Sequence, residues 1–329
     1  MIDGPLPAQS PGELVDIVCS VLNGARYFPE LLASLRAQTY TAWRLWLRDD
    51  GSSDGTVELF RAAARDDARV HVLHEGGPRL GVAQSFGWCL ERVPADSRYV
   101  LTADVDDVWL PAKLERTLHA MQTAERRDGA SVPLLVHTDL TVVDDDLSVR
   151  HPSFWEYTGI IPEPATLRRL VVRNVATGPT VMINAALRAR VGATPREALH
   201  HDWWYALVAA ATGRLIALPE STVLYRQHDA NDVGAQATEE ITLERLPEIV
   251  RNGMTRRAQF RSGVAKTAAQ ARVLLERYAA DLDADDRRFL SDYARMPERG
   301  LLRRKLDAAR LRALPEHGLI GRIGALLRG

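Results

Sequence analysis

Short apolar runs alternate with longer stretches of helical spacing through the first third of the chain. Leu14 to Leu22 (LVDIVCSVL) is mostly apolar and β-branched and predicts a buried strand, broken at Asn23-Gly24. Residues 28–38 (FPELLASLRAQ) put Leu31, Leu32 and Leu35 on one helical face. Trp43 to Leu47 predicts a second strand, followed by a helix from Thr56. Val70 to Leu73 predicts a third strand, followed by a helix near Gly81, and Tyr99 to Leu101 a fourth. Strands alternating with helices in this way predict a parallel sheet covered on both faces. Asn23, Asp49/Asp50 and Asp104/Asp106 all follow strand ends, the edge at which open α/β sheets bind ligands.

Beyond about residue 133 the pattern is mixed. Leu134 to His137 predicts a strand, 138–146 a short strand and turn, 165–173 a helix, and Thr180 to Ile183 another strand. His200-His201-Asp202-Trp203-Trp204 opens an apolar helix that stops at Gly213. Leu215 to Pro219 and Val223 to Arg226 predict two short strands. After about 236 the chain is rich in Ala, Leu and Arg and predicts only helices. The division expected is a leader over 1–13, an α/β domain over 14–236 (halves 14–110 and 111–236), and a helical appendage over 237–329.

Composition narrows the choice. The chain has 329 residues, 46% of them hydrophobic, enough for one sizeable core. Its formal net charge of -1 gives no support to a nucleic-acid binder. Cys19 and Cys89 lie in apolar stretches and read as buried free thiols in a reducing compartment. The acidic, proline-containing start is unlike a signal peptide, and no run approaches the roughly 18 apolar residues of a spanning helix, so a cytoplasmic location is expected.

Three carboxylates at Asp104, Asp106 and Asp107 repel one another unless a cation neutralises them. Mg²⁺ or Mn²⁺ holding a diphosphate would do so through one or two of them; a solvated acidic turn is the alternative. In Asp49-Asp50-Gly51-Ser52-Ser53-Asp54-Gly55 the doubled aspartate can accept from a nucleobase or a ribose, while Asp54 suits a helix cap. Asp202 at a helix start reads either as a general base or as an N-cap. His228 in Tyr225-Arg226-Gln227-His228 follows a strand and offers a nitrogen to the same metal, and Arg226 offers a phosphate contact.

Taken in order, IVCSVLNGARYFPELLASLRAQTY, LRDDGSSDGT, TADVDDVWLPAKLERTL, HTDL, GPTVMIN, HHDWW and YRQH resemble the inverting family-2 glycosyltransferases of the GT-A fold over about residues 15–235. The resemblance implies an α/β fold with a Rossmann-like mixed sheet and a helical C-terminal appendage. It implies a nucleotide pocket lined by Ser20, Val21 and Asn23, with Asp49 or Asp50 on the base and Arg79 and Gly81 nearby. It places Asp104 on the ribose or donor sugar, Asp106 and His228 on the metal, Asp202 as base and Thr177-Gly178-Pro179 near the acceptor. Two departures stand out: His201 replaces the usual acidic neighbour of the base, and Gln84 stands where Asn is frequent. The processive QxxRW motif is absent, which points to single transfers. DVDDVW and YRQH resemble the rhamnosyl- and related transferases that build bacterial surface polysaccharides, implying dTDP-rhamnose as donor, with a UDP-hexose close behind, and a glycan or lipid-linked acceptor.

Rival chemistries fit less well. Ser85 lies in AQSFG, so the hydrolase GxSxG is not met, and no GxGxxG follows the first strand. A nucleotidyltransferase would need a glycine-rich loop and lysine that are missing there. A non-catalytic nucleotide-sugar-binding module is countered by the intact Asp202. Residues 299–329 hold eight Lys/Arg against two acids among leucines, a composition suited to peripheral membrane contact or to packing on the catalytic domain or a second copy in a homo-oligomer.

Overall fold

A computed structural model describes residues 12–75, 78–228 and 253–298. Most of the predicted leader and the basic segment 299–329 lie outside the described residues. The first four strands are parallel, as their alternation with helices predicts. β1 (Val15–Val21) pairs in parallel with β2 (Trp43–Asp49) and β4 (Tyr99–Ala103), and β2 with β3 (Val70–His74), so they lie in the order β3-β2-β1-β4. Beyond β4 the sheet turns antiparallel through β8 (Met182–Asn184) to β6 (Leu134–Val143). β9 (Arg214–Arg226) lies parallel to β6, and β5 (Val108–Trp109) and β7 (Val149–His151) pair on as short additions.

Alternation along the strands separates two cores. Val15, Ile17, Cys19 and Val21 face α1 (Phe28–Arg36), α2 (Thr56–Asp66) and α4 (Lys113–Asp128). Val18 and Val100 face α3 (Val82–Leu90), α6 (Leu167–Val172), α7 (Ala185–Val191) and α8 (His201–Thr212). A short α5 (Phe154–Thr158) follows β7. Cys19 and Cys89 are buried free thiols, in line with their apolar settings.

Two expectations are corrected. Residues 138–143 continue the ten-residue strand begun at Leu134, with the expected turn following from Asp144, and 214–226 are likewise one strand rather than two. Both continue through register shifts around Thr138 and Asp139, which break the alternation that a sequence reading relies on. The described C-terminal helices, part of the expected helical appendage, pack on the α/β unit. α9 (Gly253–Tyr278) and α10 (Ala284–Ala294) bury Ala271, Leu274, Phe289 and Leu290 in the same cluster as Trp204 and Leu170. Gln270 accepts the Leu199 N–H at 3.0 Å, and the Tyr278 hydroxyl donates to the Arg190 carbonyl at 2.6 Å.

Gly213 joins α8 to β9 where a side chain cannot fit: a Cβ there would stand 1.9 Å from the Pro133 carbonyl oxygen. That carbonyl also accepts the Arg214 N–H at 2.9 Å, starting the β6–β9 pairing. Gly213→Ala is expected to destabilise the chain by about 3 kcal/mol, read as a lowered urea midpoint. An unchanged midpoint would show that this junction yields freely.

Candidate active site

The C-terminal edge of the parallel strands carries a buried polar chain. Ser20, at the end of β1, hydrogen-bonds Ser85 of α3; Arg48 of β2 donates to Ser85 and to Asp50. Asp50 in turn accepts the Leu80 and Gly81 N–H groups at 2.8 and 2.9 Å, fixing the approach to α3. Gly81 takes φ +80°, a left-handed value that favours glycine. Arg79 beside it is exposed. Asp49 is turned onto the Gly51 and Ser52 N–H groups, and Asn23 receives Ser53 N–H at 2.9 Å. The N-cap of α2 is Gly55 and not the expected Asp54, which lies one residue earlier and accepts the Thr56 and Ala25 N–H groups.

Asp49 and Asp50 are 0% and 4% exposed, and their oxygens accept backbone N–H groups and, for Asp50, the Arg48 guanidinium. Val21 is also buried, its carbonyl accepting the Asp50 N–H at 2.8 Å. These residues shape the edge; Ser20, Asn23, Arg79 and Gly81 are the ones of this group less than fully buried.

The second cluster follows β4. Gly178 sits in a 3-10 turn (Gly178–Thr180), and a Cβ on it would lie 3.4 Å from Asp104 Oδ2 and 3.2 Å from His201 Cε1. Thr102 of β4 donates its hydroxyl to the Gly178 carbonyl, tying the two segments together. Asp202 is not the N-cap of α8, a place taken by His200, but lies in its first turn. The Trp203 N–H donates to Asp202 Oδ1 at 2.6 Å. Burial raises the Asp202 carboxyl above its ordinary pKa, against the opposing influence of His200 and of bonds from Trp203, Gly178 and Asn174. Asp104, Gly178 and Asp202 are thus brought to one place.

The third cluster adjoins it. His228 Nε2 stands 3.0 Å from Asp106 Oδ2, and the His228 ring stacks on Tyr27 with centroids 4.9 Å apart. Arg226 is only 3% exposed. Its guanidinium donates to the Asp106 and Asp145 carbonyls and to Glu30, bracing the loop after β4. Asp107 accepts the Arg226 N–H at 3.0 Å; burial, then the Asp106 and Asp104 charges, push its carboxyl well above the usual range. Beneath it Lys113 is fully buried against Trp109, and that burial lowers its pKa to about 7, with Asp107 opposing.

Among the described residues, no group of three His, Cys, Asp or Glu could by itself hold a metal ion. The Asp106 carboxylate is of the oxygen type taken by Mg²⁺ or Mn²⁺, and the His228 imidazole beside it is a nitrogen ligand of the transition-metal type, so the pair suits Mn²⁺ better than Mg²⁺.

Sequence reasoning missed Arg48 and Tyr27. Arg48 had a signal, a charge inside an otherwise apolar strand, which is tolerated only with a buried partner such as Asp50. Tyr27 had none, because its partners Asp145 and His228 are distant in sequence.

His201 and His137 are both buried, with neither ring nitrogen hydrogen-bonded among the described residues. Burial pulls their pKa values from 6.5 to about 3 and about 4. Above pH 6.5 both states are neutral at these sites; below it the unfolded chain takes up protons that the folded chain refuses. Stability should therefore fall from pH 6.5 toward pH 3–4, by up to about 1.4 kcal/mol per pH unit for each histidine. Urea midpoints at about pH 7.5 and about pH 5 should diverge less in His201→Gln than in the parent. An equal divergence would remove His201 as a source of acid sensitivity.

Comparison with known proteins agrees with this architecture. The glycosyl transferase family 2 profile matches residues 16–153. A Bacillus subtilis (strain 168) relative named for teichuronic acid biosynthesis, TuaG, is 28% identical over 144 residues, 40% of this chain and 56% of its own length. The Escherichia coli enzyme WfgD, named a UDP-Glc:alpha-D-GlcNAc-diphosphoundecaprenol beta-1,3-glucosyltransferase, is 31% identical over 108 residues, 33% of this chain and 41% of its own. The matched stretch thus spans about half the length of these relatives. The crystal structure of S. aureus TarS 1-349 with UDP-GlcNAc superposes with a TM-score of 0.55 at 15% identity, covering 95% of this chain and 79% of that one. Residues 16–153 thus match glycosyl transferase family 2, and the chain as a whole has a GT-A fold.

Proposed function

We propose that the chain is an inverting glycosyltransferase that moves a sugar from a nucleotide-diphosphate donor to a hydroxyl of a glycan or lipid-linked acceptor. The observation that carries this reading is the meeting of Asp104 and Asp202 across Gly178, beside the Asp106–His228 pair. Asp202 takes the proton of the acceptor hydroxyl, its raised pKa making it a stronger base than an exposed carboxylate. The acceptor oxygen then bonds to the anomeric carbon while the bond from that carbon to the diphosphate oxygen breaks on the opposite face. The electron pair leaves with the nucleoside diphosphate, the anomeric centre inverts, and no covalent enzyme intermediate forms. Asp104 orients the donor's ribose or sugar. Bound between Asp106 and His228, Mn²⁺ or Mg²⁺ would neutralise charge on the diphosphate.

For the donor, a UDP-hexose is favoured over dTDP-rhamnose, because the names of WfgD and of the TarS complex specify UDP-sugars. The 14–236 unit would supply the chemistry, with α9 and α10 supporting the face that carries Asp202. No helix among the described residues is long and apolar enough to cross a membrane. A membrane-bound acceptor would therefore be met from the surface, with the basic 299–329 segment as one route.

A thermal-shift panel of nucleoside diphosphates and nucleotide sugars, with and without Mn²⁺, tests the reading. Stabilisation by one diphosphate nucleotide that requires the metal is expected, followed by transfer giving a single inverted anomer. Donor binding without turnover on any hydroxyl acceptor would favour a binding module, and no response to any nucleotide would overturn the proposal.

A further inference from the structure

The turn after β1 and the end of β9 are far apart in sequence, yet one aromatic side chain links them at the Asp106 site. Tyr27 lies in a turn closed by its own N–H on the Gly24 carbonyl at 3.1 Å. Its hydroxyl donates to Asp145 Oδ1 at 2.9 Å, and Arg26 binds the other oxygen of that carboxylate. Held at both ends, the ring lies at 16° to the His228 ring, with centroids 4.9 Å apart. The Arg226 guanidinium stands 5.0 Å from the Tyr27 centroid, completing a cationic and aromatic surround. His228 has only 12% of its side chain exposed, and its Nε2 points at Asp106.

We infer that Tyr27 is a positioning residue: its ring fixes the plane of His228 and so sets how tightly Asp106 and His228 hold a divalent cation over the donor diphosphate. The inference rests on the metal-dependent reading above and adds a residue that acts through His228. A ring free to rotate about χ2 would present Nε2 to Asp106 only part of the time, whereas the stack holds the ring plane that brings Nε2 to Asp106. Partners that orient a metal ligand typically change affinity about 10- to 100-fold when removed. Stacking contributes at the lower end, so about tenfold is expected here.

The test is calorimetric and independent of turnover. Affinity for UDP and for dTDP is measured in Mn²⁺ and in EDTA on the full chain, using whichever nucleotide the parent binds. The gain that Mn²⁺ brings to nucleotide affinity reports the metal site. In Tyr27→Leu that gain is expected to drop about tenfold, with affinity in EDTA and the unfolding temperature close to the parent. Tyr27→Phe, which keeps the ring and loses only the bond to Asp145, is expected to retain the gain. Tyr27→Gln replaces the leucine variant if that fails to fold. An undiminished gain in Tyr27→Leu overturns the inference while leaving the metal reading intact. Equal losses in the Leu and Phe variants also overturn it, assigning the effect to the Asp145 link. A parent with no Mn²⁺-dependent gain overturns the metal reading and this inference together.

Discussion

Asp202→Asn should lose transfer by about 10²- to 10⁴-fold while folding and binding nucleotide as the parent does. The asparagine keeps the shape and an oxygen for the Trp203 N–H but cannot take the acceptor's proton. It also removes a carboxylate whose charged form burial already disfavours, so stability should hold or rise. Initial rates of product formation, with nucleotide-induced thermal shifts as the folding control, check this. A folded variant with near-parental turnover would eliminate Asp202 as the base and leave the acceptor proton without a taker at this site.

Asp106→Ala should cost about 10³-fold in turnover, the equivalent of several kcal/mol of charge stabilisation at the leaving diphosphate. The loop should keep its path, because Arg226 grips the Asp106 carbonyl and the neighbouring Asp107 carboxylate holds the Arg226 N–H. The diagnostic is therefore a loss of Mn²⁺ response with the fold retained. Rates are titrated with Mn²⁺ in the parent and the variant, and nucleotide affinity is followed in EDTA. A variant still activated by Mn²⁺ to the parental level would move the cation site away from Asp106.

The parallel half of the fold was readable because its strands are short, mostly apolar runs separated by helical spacing; β1 through β4 begin and end within two residues of their expected limits. The antiparallel half was harder for a physical reason. β6 and β9 shift register around Asp139 and Ser221, so alternation fails midway and one long strand reads as two short pieces. The acidic positions were also legible as a set, but not their individual environments. Asp50 and Arg226 are polar residues whose partners sit on other elements, Leu80 and Gly81 for one, Glu30 and Asp145 for the other. Nothing local distinguishes a buried brace from a ligand contact. The depth to which α9 and α10 enter the core was hidden for the same reason, since small residues such as Ala268 and Ala271 carry little hydrophobic signal while allowing close approach.

The ladder between β4 and β8 carries a practical consequence. Tyr99, Val100 and Leu101 register with Asn184, Ile183 and Met182, and the Thr102 N–H donates to the Val181 carbonyl at 3.1 Å. Asp104 leaves one rail of this ladder and Gly178 enters the other. Their separation is thus set by this main-chain ladder, with the Thr102 hydroxyl on the Gly178 carbonyl as an added side-chain tie. Replacing exposed side chains elsewhere on the sheet edge is expected to leave that spacing unchanged.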